Sequence, residues 1–267
     1  MTSHPAYHFN SIIVREPSRS VVNGLRAKDR GSPTYEDVKA EHDAYVDAMR
    51  EAGVKATVLP PLEAFPDSIF VEDPALVFTE GAIVLRPGAA ARVGEAGEIA
   101  PTLRDMFDTV HDLPAGYADG GDVLTTQESV MIGLSARTDR AGAEALRACL
   151  DKLGRKSEIV KTPEGVLHFK TDCSLLDQET VLSTNRLARS GVFQNFRQML
   201  IPEGEEAAAN ALRVNEVVMV GADFPRTIEM LDKAGYKVVT LKTTEIRKID
   251  AGLSCMSLRW FSRGKGG

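Results

Sequence analysis

Along most of the chain, short apolar runs come in pairs around a polar turn. Ala75–Gly88 (ALVFTEGAIVLRPG) turns at Thr-Glu-Gly, and Asp122–Ser135 (DVLTTQESVMIGLS) turns at Gln-Glu. Cys173–Thr184 (CSLLDQETVLST) turns at Asp-Gln, and Ala211–Phe224 (ALRVNEVVMVGADF) at Val-Asn-Glu. Long or β-branched apolar residues on both sides of a turn cluster predict hairpins. A helical stretch follows each hairpin. The clearest is Thr138–Gly154, capped by Thr-Asp, with Ala143, Leu146, Leu150 and Leu153 on one stripe and Gly154 as its stop. Pro225–Gly235 has Pro in its first turn and Gly at its end. After the helices come four further apolar strands: TVHDL, KSEIV, MLIP and YKVVTL.

The N-terminal region repeats this unit in permuted form, with a strand at Asn10–Val14, a helix at Thr34–Gly53 and a strand at Val54–Pro60. The strand in SCMSLRW, near the other end of the chain, would complete its sheet. Hairpins start at residues 75, 122, 173 and 211, spacings of 47, 51 and 38 that suggest an array of equivalent units. Five units whose first and last share a sheet predict a closed ring. A doubly wound sheet is the plainer alternative, but it does not need a hairpin in every unit. No Pro/Ser-rich linker divides the chain, so residues 1–267 are read as one domain, with mobile ends at about 1–9 and 262–267.

Composition narrows the function classes. The chain is 43% hydrophobic and 26% charged, with net charge −6, which disfavours nucleic acid as a partner and mildly favours a cationic small molecule. Three cysteines make neither a disulfide framework nor a zinc motif. No signal-peptide pattern or membrane-length apolar run is present, so the expected location is the cytoplasm.

The stretches between a closing strand and the next hairpin occupy equivalent places in the units. They are Phe65–Pro74 (FPDSIFVEDP), Tyr117–Asp122 (YADGGD), Val166–Asp172 (VLHFKTD), Glu206–Val214 (EAAANALRV) and Lys248–Cys255 (KIDAGLSC). Four of them carry candidate chemistry: carboxylates, an acid beside two glycines, a histidine and a cysteine. A ring would bring these loops to one end of its axis and so assemble a nucleophile, a base and acids in one pocket. Taken singly, each residue has a duller reading. Cys149 and Cys173 are read as structural. Cys255 and His168 alone would be core residues, Asp67, Asp119 and Asp122 turn formers, and Arg86 and Arg137 exposed charges.

At these motifs the sequence resembles the dimethylarginine dimethylaminohydrolases. FPDSIFVEDP, LRPGA, DGGDV, GLSART, LHFKT and GLSCMSLR carry the resemblance, which runs from about Ile12 to Trp260. That family belongs to the guanidino-modifying pentein superfamily. Its fold is an α/β five-bladed propeller of strand-strand-helix-strand units around a pseudo-fivefold axis. The resemblance implies Cys255 as nucleophile and His168 as general acid/base. It implies that Asp73 and Asp119 grip the substrate guanidinium. Asp67, Glu72, Arg86 and Arg137 would line the site and hold the α-amino and α-carboxylate ends, and Leu25 and Ile249 would touch the ligand. Three departures stand out: Asp119 where bacterial relatives carry Glu, Ala251 in place of one of two glycines, and Ala211 where a second cysteine is common.

The chemistry so implied is hydrolysis of an Nω-methylated arginine to citrulline through a thiouronium on Cys255. It calls for no metal, nucleotide or flavin, and neither a P-loop nor a dinucleotide fingerprint is present. A soft thiolate suits attack on the resonance-stabilised guanidinium carbon, and paired carboxylates can hold that group in plane. The same carboxylates should oppose thiolate formation until a cation arrives. The expected partners are a methylated arginine and a second copy of the chain in a homodimer, with neither nucleic acid nor membrane. The alternatives are an arginine deiminase or another guanidino-modifying enzyme, or a non-catalytic arginine-binding protein. A cysteine peptidase or acyltransferase finds no local signature around Cys255.

Overall fold

The computed structural model describes residues 4–264, and the hairpin grammar becomes five separate three-stranded sheets. The second unit is β3 (Ala75–Phe78), β4 (Gly81–Val84), α2 (Glu95–Met106) and β5 (Val110–Asp112). The third is β6 (Val123–Thr125), β7 (Val130–Leu134), α3 (Arg140–Lys152) and β8 (Ser157–Lys161). The fourth is β9 (Cys173–Leu175), β10 (Thr180–Ser183), α4 (Asn185–Ala188) and β11 (Arg197–Leu200), and the fifth is β12 (Leu212–Val214), β13 (Val217–Gly221), α5 (Pro225–Lys233) and β14 (Lys237–Leu241). In each, the hairpin pair is antiparallel and the strand after the helix returns parallel to the middle one.

The remaining unit joins the two ends of the chain. β1 (Ser11–Arg15), α1 (Tyr35–Glu51) and β2 (Lys55–Leu59) come from the N-terminal region. β15 (Leu258–Trp260) supplies the missing antiparallel strand, pairing Ser11 with Trp260. The fold is therefore the five-bladed α/β propeller. This closure gives β1 its antiparallel partner and makes the terminal unit a three-stranded blade like the others.

Local chemistry explains the elements. The β3–β4 turn closes on the Phe78–Gly81 pair, with Gly81 at φ 157°. The β12–β13 turn places Asn215 at φ 51°, a conformation Asn tolerates better than most residues. Thr34 caps α1 by accepting the Asp37 N–H, and Asp139 caps α3 by accepting the Gly142 N–H at 2.6 Å. The buried face of α3 includes Ala143, Leu146, Cys149 and Leu150. Middle strands β4, β10 and β13 are buried throughout, whereas β2 and β8 keep exposed positions at the rim.

Two expectations change in the fourth unit. Its helix shrinks to the four residues of α4, because the sequence soon meets Gly191 at φ 77°. Its outer strand is Arg197–Leu200 rather than MLIP; the pairing of Ser183 with Leu200 ends it before Pro202, which has no N–H to offer a ladder. At the ends, residues 1–3 and 265–267 lie outside the described residues. Within them, His4 stacks on Phe261 and Phe9 donates its N–H to Asn215. Among the described residues, no helix is long and apolar enough to cross a membrane.

One buried group sets a pH limit on this fold. His42 on α1 is 1% exposed, and neither ring nitrogen has a hydrogen-bond partner among the described residues. Burial pushes its pKa down to about 4. The unfolded chain thus takes up a proton that the folded chain refuses, and stability falls as pH drops from about 6.5 toward 4. Between pH 7 and 5 this costs about 2 kcal/mol. His42→Leu is expected to flatten that loss, read as a smaller decrease in Tm over the same pH interval.

Candidate active site

The inner strands β3, β6, β9, β12 and β15 are each entered from a tight turn, and these turns carry the candidate residues. Asp119 immediately precedes the turn Gly120–Asp122, His168 precedes Phe169–Thr171, and Cys255 sits within Leu253–Met256. Asp67 and Asp73 lie on the turns that lead into β3. Asp122 ties two units together: one carboxylate oxygen accepts the Phe169 N–H at 2.8 Å, the other the hydroxyls of Ser135 and Thr138, both at 2.7 Å. The backbone beside His168 is thereby fixed to the neighbouring unit.

A cavity of about 160 Å³ lies where the turns converge. Leu25, Asp67, Asp73, Asp119, Arg137, His168, Ile249 and Cys255 all line it. Eight of the ten residues expected at the site thus share one space, although they span residues 25 to 255. Arg86 and Glu72 stand outside that lining. Arg86 is exposed and lies over the Tyr117 ring, on a backbone segment bridged to Ala118. Arg92, which the sequence did not flag, lines the cavity instead. It pairs with Asp73 and Glu95 and donates to the Phe70 carbonyl at 3.0 Å.

Glu72 faces a larger cavity of about 800 Å³, lined by the five inner strands. It accepts from Lys170, from Arg259 at 2.7 Å and from the Ser254 hydroxyl at 2.9 Å, while its N–H donates to the Cys255 carbonyl. Neighbouring residues on three turns thus face opposite ends of the ring axis: Glu72 and Asp73, Lys170 and His168, Ser254 and Cys255. Glu72 ties the Cys255 turn to the His168 turn from beneath.

The electrostatics are those of a site prepared for a cation. Asp119 Oδ1 accepts the Gly88 N–H at 2.7 Å, and Oδ2 lies 2.9 Å from His168 Nε2. Burial works against a charge on His168, but Asp73, the Asp119 hydrogen bond and Asp122 outweigh it and hold its pKa up at about 9. Burial, with Glu72 and Asp73 beside it, pushes the Cys255 thiol up to about 12. At neutral pH the free site therefore holds a thiol and an imidazolium. Burial raises Asp67 as well, while Asp73 stays low because Arg92 and His168 outweigh its burial. The half-buried Arg137 guanidinium makes no ion pair among the described residues.

The loop carrying Leu25 is held over the cavity by acids from two units. Leu25 N–H donates to both Asp67 oxygens, at 3.0 and 3.2 Å. Asp250, in the left-handed region at φ 56°, accepts from Ala27 N–H and from Arg30 at 2.6 Å. Glycines make the tight approaches feasible: a Cβ at Gly121 would sit 2.9 Å from the His168 ring, and one at Gly120 would sit 1.9 Å from the Glu72 carbonyl oxygen. Of the family departures, Ala251 lines the cavity and the buried Ala211 lines the larger channel. Asp73, Asp119 and His168 offer three atoms within 4.8 Å of one another, a spacing that could bracket a cation.

The Glu72 cluster makes a direct prediction. Glu72→Gln leaves Lys170 and Arg259 without their carboxylate in a buried setting, so about 3 kcal/mol of stability should be lost. Urea unfolding at neutral pH measures it; a loss below a few tenths would contradict the tying role.

Comparison with known proteins follows the geometry. The arginine deiminase family model matches residues 98–204. An N(G),N(G)-dimethylarginine dimethylaminohydrolase of Pseudomonas aeruginosa is 41% identical over 254 residues, covering 94% of this chain and 100% of that protein. The structure of a cysteine-to-serine variant of the P. aeruginosa enzyme, complexed with citrulline, superposes with TM-score 0.92 over 95% of this chain and 100% of its own. A histidine-to-glycine variant of a dimethylarginine dimethylaminohydrolase, as an adduct with S-methyl-L-thiocitrulline, gives 41% identity and TM-score 0.90 over 94% and 99%.

Proposed function

The chain belongs to the dimethylarginine dimethylaminohydrolase family, and on that premise we propose that it hydrolyses Nω-methylated arginines to citrulline and dimethylamine or methylamine. The observation that carries this reading is the meeting of Cys255, His168, Asp67, Asp73 and Asp119 around one cavity of about 160 Å³. A thiol among carboxylates is poorly suited to an anionic or neutral carbonyl substrate. It suits a flat cation whose arrival completes the charge balance.

In this mechanism Asp73 and Asp119 accept the guanidinium N–H groups and fix its plane over the sulfur. The incoming cation favours ionisation of Cys255, whose proton passes to solvent because His168 is already protonated. Sγ attacks the guanidino carbon to give a tetrahedral adduct. His168, already an imidazolium, gives its proton to the methylated nitrogen as that C–N bond breaks, and the amine leaves. A thiouronium remains on Cys255. Neutral His168 then takes a proton from water, the water oxygen adds to the same carbon, and the C–S bond breaks to release citrulline. Asp119, bonded to His168 Nε2, orients the ring. Asp67 suits the α-ammonium group, and Arg137, which makes no ion pair among the described residues, suits the α-carboxylate.

The match of residues 98–204 to the arginine deiminase family gives one rival reading, in which unmethylated arginine is the substrate and ammonia the product. Mass spectrometry of products from dimethylarginine, monomethylarginine and arginine separates the two. Citrulline with the methylated amine is expected; faster ammonia release from arginine would favour the deiminase. Cys255→Ser should bind a methylated arginine and show no turnover. Because the reaction needs Cys255 ionised with His168 still protonated, one proton fewer than the free site holds at neutral pH, kcat/KM is expected to rise with pH and level off above about 9, the value at which the free site gives up that proton.

A further inference from the structure

Of the five turns that enter the inner strands, the one before β12 supplies none of the residues to which chemistry has been assigned, yet it reaches the nucleophile. Asn210 closes the turn Glu206–Ala209 and sets its amide against the turn Leu253–Met256. Its Oδ1 accepts the Ser254 N–H at 2.9 Å. That bond fixes which way the amide faces: the oxygen is used, and the NH₂ group is left to face Cys255 Sγ, 4.0 Å away. The opposing backbone is shaped to receive it, since a Cβ at Gly252 would lie 2.4 Å from Asn210 Cγ.

Around that sulfur the charged neighbours pull in opposite directions. Glu72 and Asp73 resist its ionisation, while Lys170 and a backbone hydrogen bond from Gly252 favour it. We propose that Asn210 is a catalytic residue, whose amide N–H donates to the Cys255 sulfur as it ionises and attacks. A neutral donor is the fitting choice here. It stabilises negative charge on sulfur, yet adds no fixed positive charge to repel a guanidinium. A thiolate is a stronger acceptor than a thiol, so the 4.0 Å contact tightens as charge develops. With Asn210 counted, all five turns that enter the inner strands contribute to the site. This inference deepens the hydrolase reading and rests on it for the attack step alone; the ionisation step is testable without a substrate.

The experiment uses Asn210→Asp, which keeps the shape and the acceptor for Ser254 N–H and replaces the donor on sulfur with an anionic acceptor. Two quantities are read: the rate at which iodoacetamide labels Cys255 in the free protein at fixed pH, by peptide mass, and kcat and KM on dimethylarginine. Labelling and kcat are each expected to fall roughly 10- to 100-fold, with KM little changed. Loss of a merely structural contact would lower Tm and leave the labelling rate of the folded protein as it was. Should N210D not fold, Asn210→Ala is read in the same way. A folded variant that labels and turns over at wild-type rates overturns the proposal. Slowed labelling in the variant, with no turnover of any methylated arginine by wild type, would instead sink the hydrolase reading and uphold the role of Asn210.

Discussion

A sulfur anion cannot be made cheaply beside carboxylates in a buried pocket, and the site is organised around that constraint. Asp67, Asp73 and Asp119 line the cavity with Cys255, and Glu72 lies behind it. The cations around the site are mostly paired with its acids: Arg92 with Asp73 and Glu95, His168 with Asp119, Lys170 and Arg259 with Glu72. They hold these acids in place, and Arg92 with His168 keeps the Asp73 pKa low, yet Cys255 remains a thiol in the free site. The positive charge that balances the site is left for the ligand to bring, so ionisation of the nucleophile becomes a consequence of binding. Selectivity for a cation and activation of the thiol are then one electrostatic event.

The ring delivers this balance because its five inner strands all start at the same end of the axis. Each is entered from a tight turn, so a residue there is held by backbone geometry as well as by its side chain. Three of those turns have two faces. Asp73, His168 and Cys255 open onto the small cavity, and Glu72, Lys170 and Ser254 onto the channel on the other side. The buried cluster centred on Glu72 therefore supports the reactive residues from behind, and the Glu72 charge helps to hold Cys255 as a thiol.

Local signals in the sequence carried the architecture well. Hairpins, caps and helix stripes depend on neighbours within a few residues, and the closed ring followed from counting units and noticing that the chain's two ends complete one sheet. The weak fourth helix could not be read in advance, since its brevity depends on Gly191 adopting positive φ. At the site, the positions of acids, histidine and cysteine were legible from their recurrence in the unit, but the direction of each side chain was not. Glu72 and Asp73 are adjacent and face opposite ways. Arg86 and Arg92 flank the same Pro-Gly, and only the path of the backbone after Pro87 sends the second inward. Asn210 sits in a run of alanines with no charge to draw notice, and its proximity to Cys255 is a property of the fold alone.

The central claim is that the sulfur of Cys255 bonds to the guanidino carbon with loss of the substituted amine. Intact-protein and peptide mass spectrometry after rapid acid quench tests it most directly, using arginines with one or two methyl groups on a single ω-nitrogen. The account predicts a transient adduct on Cys255 whose mass is the same from both compounds, because the methylated nitrogen has already departed. An adduct that retains the methyl groups, one located on another residue, or turnover with no adduct at all would contradict it.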